Sequence, residues 1–420
     1  MKKTKFIGVL IFFFIYGQYD VSSKDILNTF RINSMLHGVL DNSINPNDTV
    51  SDLSLQNPDD FLNITELIKK YNYPAEEYTL LTKDGYKLKV FRIPADGPVV
   101  FLMHGLICSS DDFITPGVKA GLAFLLAQKG YDVWMGNARG NKHSRDNIYV
   151  KPSEKEFWNF SFHEMGIIDL PAMVDFVLDK TGKDKLIYVG HSQGTTIFYI
   201  MCSLLPEYNE KISVMVSLSA VAFMSHIRSP LRYIAPFNEE LLAIFYSLGV
   251  YELLSETPTI QAFQNTFCNT NPRAFTFCEK IIFFLGGFNY EQTNFEHLTV
   301  VFHHFPAGSS AKQLVHFAQL ILSGYFRQYD YGPKNYEKYG SIIPPSYPVG
   351  KITAPVAVFY GIGDWLSESV DVKKLTSKLP NLIELYTVEN ENWSHFDFVY
   401  ARDIKTLILP KLLSLIEKYV

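Results

Sequence analysis

The sequence predicts an α/β protein: a mainly parallel sheet with helices on both faces, and a helical insertion late in the chain. Three observations carry this. From about residue 99 onward, short apolar and β-branched runs alternate with helix-length segments, the pattern of parallel strands joined by crossover helices. The stretch "VGHSQGTT" (189–196) sets one serine between two glycines, where such a run ends and a long apolar segment begins. Between Ser219 and Pro355 the rhythm stops for about 130 residues of helical lengths with no convincing strand.

Length and composition permit this reading. A chain of 420 residues accommodates two or three average domains, or one large α/β enzyme with an insertion. The 38 basic and 43 acidic side chains leave a net charge of −5, with no run of like charge and so no footprint for nucleic acid. Lys2, Lys3 and Lys5 precede the apolar run Phe6–Tyr16, and polar "GQYDVSS" follows. That is the layout of a secretory signal, residues 1–23, cleaved near Ser22 and Ser23. Its eleven-residue centre falls short of the ~20 residues that span a bilayer, which disfavours an uncleaved transmembrane anchor. Four Asn-x-Ser/Thr sequons, at Asn47, Asn63, Asn159 and Asn392, agree with the secretory route to a secreted or lysosomal destination.

Residues 24–58 are polar and rich in Asn, Asp and Ser, and are read as a propeptide or a loosely ordered arm. The first part of the core, 59–220, then begins. "EYTLL" (77–81) and "KLKVFRI" (87–93) flank Asp84-Gly85, a hairpin. Strands follow at 99–103, 132–135, 185–189 and 212–218, with helices expected over "GVKAGLAFLLAQKG" (117–130), "IIDLPAMVDFVLDKTG" (167–182) and "TTIFYIMCSLL" (195–205). The last two strands, 356–360 and 382–388, lie in the second part of the core, 351–420, and bring the count to eight. The insertion, 221–350, holds 25 of the chain's 62 aromatic residues. It is either a helical subdomain with its own aromatic core or a cap whose apolar underside covers a greasy substrate. Cys268 and Cys278, close together within it, would close a small loop if bridged; Cys108 and Cys202 read as free, packed thiols.

The chemistry is carried by strand ends. Ser192 sits on a strand-to-helix turn, where Gly190 and Gly194 remove Cβ atoms that would clash. A serine hydroxyl becomes nucleophilic only when a base takes its proton and a third group orients that base. Asp364 follows a strand behind a Gly-x-Gly turn, and His395 lies in the loop after the last strand; Ser192, Asp364, His395 is the order this architecture requires. Taken singly, Asp364 could cap the next helix and His395 could be an ordinary loop histidine. Asp371 and Asp397 are rival acids, and His303, His304 and His316 are rival bases in the insertion. Donors for a developing oxyanion are expected at the backbone N–H of Gln193 and at that of Leu106, in the loop after the third strand. His104 and Gly105 shape that loop.

"HGL" (104–106), "NARGNKHSR" (137–145), "FWNFSFHEMGIIDLPAMVDFVL" (157–178) and "GHSQGTT" (190–196) resemble the acid lipase family, which includes the gastric and lysosomal acid lipases. "YPAEEYTLLTKDGYKLKVFRIP" (73–94) is similar to its N-terminal hairpin, and the likeness runs from about Asn57 to the C-terminus. The resemblance implies the α/β-hydrolase fold, an eight-stranded mostly parallel sheet with an inserted helical cap and lid at 221–350. It implies Ser192 as nucleophile, Asp364 as acid, His395 as base, the Leu106 and Gln193 amides as oxyanion hole, and a cap disulfide between Cys268 and Cys278. It has one visible departure, His143, where the family's pattern has an aromatic residue.

The expected activity is hydrolysis of neutral lipid esters, such as triacylglycerols or cholesteryl esters, at a lipid–water interface, through an acyl-enzyme and without metal or organic cofactor. Two rivals remain: an acyltransferase that passes the same acyl group to an alcohol, and a catalytically silent lipid-binding protein.

Overall fold

The computed structural model describes residues 57–255 and 272–420, with the backbone alone for 272–277. The signal, most of the N-terminal arm, Asn47 and Cys268 lie outside the described residues.

The strands are β1 (Glu76–Leu81), β2 (Lys87–Ile93), β3 (Val99–Met103), β4 (Asp132–Gly136), β5 (Leu186–His191), β6 (Ile212–Leu218), the two-residue pair β7 (Glu252–Leu253) and β8 (Ser309–Ser310), β9 (Val356–Tyr360) and β10 (Leu382–Thr387). The helices used below are α1 (Ile64–Lys70), α2 (Leu122–Ala127), α3 (Leu170–Thr181), α4 (Gln193–Leu204), α5 (Asn238–Ser247), α6 (Pro272–Gly286), α7 (Leu298–His304), α8 (Ala311–Ser323), α9 (Ser369–Thr376) and α10 (Leu409–Ile416).

One eight-stranded sheet runs β1-β2-β4-β3-β5-β6-β9-β10. Only the β1–β2 and β2–β4 pairs are antiparallel; from β4 to β10 every pairing is parallel. Strands β3, β4, β5, β6 and β9 are almost wholly buried, which is why they read as unbroken apolar runs. Their side chains alternate between two cores. Phe101, Met103 and Tyr188 pack with α3 and α4 on one face, while Val100, Leu102 and Val189 pack with α1, α2 and α10 on the other. The chain leaves β3 toward β4 on one side and returns to β5 on the other. The carboxyl ends of β3 and β5 therefore frame a topological switch point, where open sheets bind ligands.

Two helices depart from the expected spans. Of 117–130 only Leu122–Ala127 is α-helical. Gly117 sits at φ +78, and a Cβ on Gly121 would lie 2.9 Å from the carbonyl oxygens of Phe113 and Gly117, so the chain turns tightly there before the helix starts. The 167–182 helix is entered through a π-helical turn, Met165–Asp169. Pro171 has no N–H to return to the preceding turn, and the widened turn lets Gly166 rest on Ile200 of α4. Between β6 and β9 the regular elements among the described residues are helices apart from the β7–β8 pair, two residues per strand, which the sequence pattern did not suggest.

Candidate active site

Ser192 ends β5 and opens α4 with φ 51 and ψ −117, a conformation L-residues rarely adopt. The glycines make the turn possible. A Cβ on Gly194 would lie 2.3 Å from the Met103 carbonyl oxygen, and one on Gly190 would lie 2.8 Å from the Gly194 carbonyl carbon. The strain aims the hydroxyl out of the sheet, over the end of β3.

His395 Nε2 lies 2.8 Å from Ser192 Oγ. Its Nδ1 is 3.1 Å from both carboxylate oxygens of Asp364. A carboxylate only accepts, so Nδ1 carries the proton and Nε2 offers its lone pair to the serine. Both Gly361 and Gly363 lie flush against the histidine loop: Cβ atoms there would be 2.1 Å from the Trp393 oxygen and 2.3 Å from the Asn392 oxygen. The Gly-x-Gly turn ahead of Asp364 thus serves close approach. Burial alone would raise the Asp364 carboxyl, but the His395 imidazole, the Ser219 hydroxyl and the Ser367 N–H hold it below the usual carboxylate range.

The rival groups are engaged elsewhere. Asp397 accepts from the Ser394 N–H at 2.6 Å and from Asn289 Nδ2 at 2.8 Å. Asp371 faces His226 at 2.9 Å. His316 bridges Ser161 Oγ and the Arg327 carbonyl, His304 binds Asp111, and His303 Nδ1 donates to the Thr299 carbonyl.

Gln193 follows Ser192 in the chain and Leu106 lines the same cavity as Ser192, and among the described residues neither amide donates to another backbone group. His104 fixes the first turn: Nδ1–H donates to the Gly105 carbonyl at 2.7 Å and Nε2 accepts the Ala138 N–H at 3.1 Å. Burial pushes this imidazole down to about 4, so it stays neutral. The Gln193 side chain is gripped by Gln313 Nε2 of α8 and donates to Met165 Sδ in the π-turn. The insertion also reaches the other loops. The Gly286 carbonyl, at the end of α6, accepts both the Trp365 N–H (3.0 Å) and the His395 N–H (3.2 Å), and the Ile107 carbonyl accepts the Ala307 N–H at 2.7 Å.

These contacts, and Ser219, which touches both Asp364 and His395, escaped the sequence reading because no residue type or spacing marks them. His143, the departure from the family pattern, also has a task. Its Nε2 lies 2.7 Å from Oδ1 of buried Asp111, whose Oδ2 meets Lys142 Nζ and His304 Nδ1, each at 2.7 Å. The cluster pins the end of α7 to the core.

Above Ser192 and His395 lies a cavity of 310 Å³. Its walls are overwhelmingly apolar, supplied by α5 (Leu241, Phe245), α6 (Ile282, Leu285) and α8 (Leu314, Phe317).

Asp112, beside Asp111, is buried with its Oδ1 accepting from Tyr400 Oη at 2.8 Å and its Oδ2 without a hydrogen-bond partner among the described residues. Burial pushes this carboxyl up to about 7, and the same cause raises Asp397 to about 6. A carboxyl whose folded value is raised contributes stability below its unfolded value of about 4, and loses it as the pH rises through the folded value. Urea midpoints of the wild type relative to Asp112→Asn should therefore fall between about pH 4 and pH 7 and level off above that. A constant difference between the two proteins across that range would contradict a protonated Asp112.

A parallel sheet with a strained serine after β5, an acid after β9 and a histidine after β10 defines an α/β-hydrolase. Residues 64–117 match the partial alpha/beta-hydrolase lipase region and residues 98–248 the alpha/beta hydrolase fold. The chain is 39% identical to Lipase 3 of Drosophila melanogaster, covering 84% of this chain and 92% of that one. It is 38% identical to the gastric triacylglycerol lipase of Mus musculus and 35% identical to the lysosomal acid lipase/cholesteryl ester hydrolase of Homo sapiens, each alignment spanning 87% of this chain and 94% of the relative. This chain belongs to the acid lipase family. Among solved structures, the alpha/beta hydrolase GrgF from Penicillium sp. sh18 superposes with a TM-score of 0.52 at 13% identity, over 82% of this chain and 99% of that one, which is a likeness of fold.

Proposed function

We propose that the protein is a lipase that hydrolyses neutral lipid esters through an acyl-enzyme. The observation that carries this is the hydrogen-bonded series Ser192–His395–Asp364 on the floor of an apolar cavity. Ser192 Oγ attacks the ester carbonyl as His395 Nε2 takes its proton. Asp364 holds the imidazole in the tautomer this requires and stabilises the imidazolium. The Gln193 and Leu106 N–H groups receive the oxyanion, each worth roughly 3–4 kcal/mol in the transition state. His395 then returns the proton to the leaving alcohol, and water, deprotonated by the same imidazole, releases the acid.

The apolar walls favour an uncharged, long-chain ester, and the names of the gastric and lysosomal relatives point to triacylglycerols and cholesteryl esters as the substrates to test first. A panel of triacylglycerol, cholesteryl ester and phospholipid between about pH 4 and pH 8 tests the reading. Turnover of the neutral esters is expected, and turnover of phospholipid alone would overturn it. Acyl transfer to an added alcohol in preference to water would assign the chain to the acyltransferases.

The division into core segments 59–220 and 351–420 with a cap and lid at 221–350 belongs to the same proposal, as does the Cys268–Cys278 bridge. So does a secretory destination, either extracellular or lysosomal. Asn63, Asn159 and Asn392 are all exposed. Expressed in a eukaryotic secretory system, the protein should start near residue 24 and lose mass on deglycosylation. A product with Met1 intact and no glycan would contradict this. No helix among the described residues is long and apolar enough to cross a membrane.

A further inference from the structure

We propose that Ser219 is a fourth, positioning member of the site: its hydroxyl locks the Asp364–His395 pair in the orientation that activates Ser192. This rests on the ester-hydrolase reading above and adds a residue to it.

Ser219 is the first residue after β6, and it is completely buried. Its backbone sits at φ 58. An L-residue in this left-handed region is strained by roughly 1–2 kcal/mol, and glycine would sit there without strain. The conformation is nevertheless held from both sides: the Ser219 N–H donates to the Phe359 carbonyl at 2.9 Å, and the next residue's carbonyl accepts Ser367 Oγ at 2.6 Å. The strained backbone delivers Oγ to a point between two functional groups. There it donates to Asp364 Oδ2 and lies 2.7 Å from His395 Nδ1.

The direction of these bonds follows from proton inventory. The carboxylate has no proton to give, so the serine O–H points at Oδ2 and its lone pairs face the Nδ1–H of His395. Asp364 Oδ1 is held separately by the Leu366 and Ser367 N–H groups, both at 2.8 Å. Among the described residues Oδ2 has Ser219 as its one donor besides the imidazole. Without that hydroxyl Oδ2 keeps only the longer imidazole contact at 3.1 Å, the carboxylate can tilt about its Oδ1 tether, and Nδ1–H loses its nearest acceptor. Ser219 touches no reacting atom, so its influence on Ser192 passes through Asp364 and His395.

The test uses Ser219→Gly, which removes the hydroxyl and relieves the backbone strain, alongside Ser219→Ala. Each is made in the wild type and in Asp364→Asn, and assayed on a soluble short-chain ester. Losing one hydrogen bond to a charged group should lower kcat by about tenfold or somewhat more, with KM within about twofold because no substrate contact is removed. Ser219→Gly should melt at or above the wild-type temperature. In the Asp364→Asn background the additional loss should vanish. The low-field proton signal of His395 Nδ1–H, identified by its absence in His395→Ala, should shift in Ser219→Gly. A Ser219→Gly protein with full kcat, an unmoved Nδ1–H signal, or an undiminished loss in Asp364→Asn would each overturn the proposal. The hydrolase reading stands or falls separately, on whether the wild type turns over ester and Ser192→Ala does not. The Nδ1–H signal tests Ser219 in either case.

Discussion

Ser192→Ala is expected to lower kcat on any ester by roughly 10⁴- to 10⁶-fold, with melting temperature unchanged. The side chain is lost from a turn whose conformation is set by Gly190, Gly194 and the Ser192 N–H bond to the Leu218 carbonyl at 3.1 Å, none of which needs the hydroxyl. His395→Ala should cost a comparable factor, since no other imidazole reaches Ser192 Oγ among the described residues. Asp364→Asn tests a finer point. An asparagine oxygen can still accept from Leu366 and Ser367, so the loop should keep its shape. Its NH₂ would instead face Nδ1 and favour the wrong imidazole tautomer, which is worth about 10⁴ in related chemistry. The double and triple variants should be no slower than the worst single one, because the three groups act as a unit. Near-normal turnover in Asp364→Asn would move the search to Asp397, 5% exposed and only two residues beyond His395.

The central strands were legible because they are buried on both faces. β3, β6 and β9 begin and end where the apolar runs do, whereas β2 was legible from its alternation of buried and half-exposed side chains after the Asp84-Gly85 turn. The candidate site was legible for a related reason. Serine, acid and histidine each follow a strand, so their positions along the chain translate into positions at one edge of the sheet. What escaped notice depends on contacts between distant segments. Ser219 reads as the last letter of "ISVMVSLS", and only the arrival of β9 and the histidine loop gives its hydroxyl partners 145 and 176 residues away. Gln313 meets Gln193 across 120 residues. The π-turn at Met165 escaped because the apolar spacing of an α-helix continues through it.

The other large effect concerns the insertion. Helix α5 carries one broad apolar stripe that the cavity only partly covers: Leu241 and Phe245 line the cavity, while Ile244 on the helix, and Phe237 and Leu248 at its ends, lie along the other edge of that stripe and are 45%, 58% and 44% exposed. A closed domain in water would bury such a stripe across its whole width, so the exposed edge calls for a partner of its own. The ester substrates proposed above supply one, since they arrive as droplets or aggregates with an apolar surface. Transferring these three half-exposed side chains from water to such a surface is worth about 1 kcal/mol apiece, or roughly a hundredfold in combined affinity. It would also favour displacement of α5 from the cavity mouth, a shift toward the state with more lipid contact. The triple variant Phe237→Ser, Ile244→Ser, Leu248→Ser should therefore lose about a hundredfold in turnover of emulsified long-chain ester at limiting interface. A soluble short-chain ester reports the triad directly and should change by less than about twofold, because no hydrogen bond of the site involves these side chains. The corresponding change at Tyr336, Ile342 and Ile343, which are more exposed still but line no part of the cavity, should leave both substrates alone. Equal losses on the two esters in the first variant would make α5 ordinary scaffold, and an equal loss on emulsion in the second would mean that exposed apolar area alone, without position over the site, governs attachment to the interface.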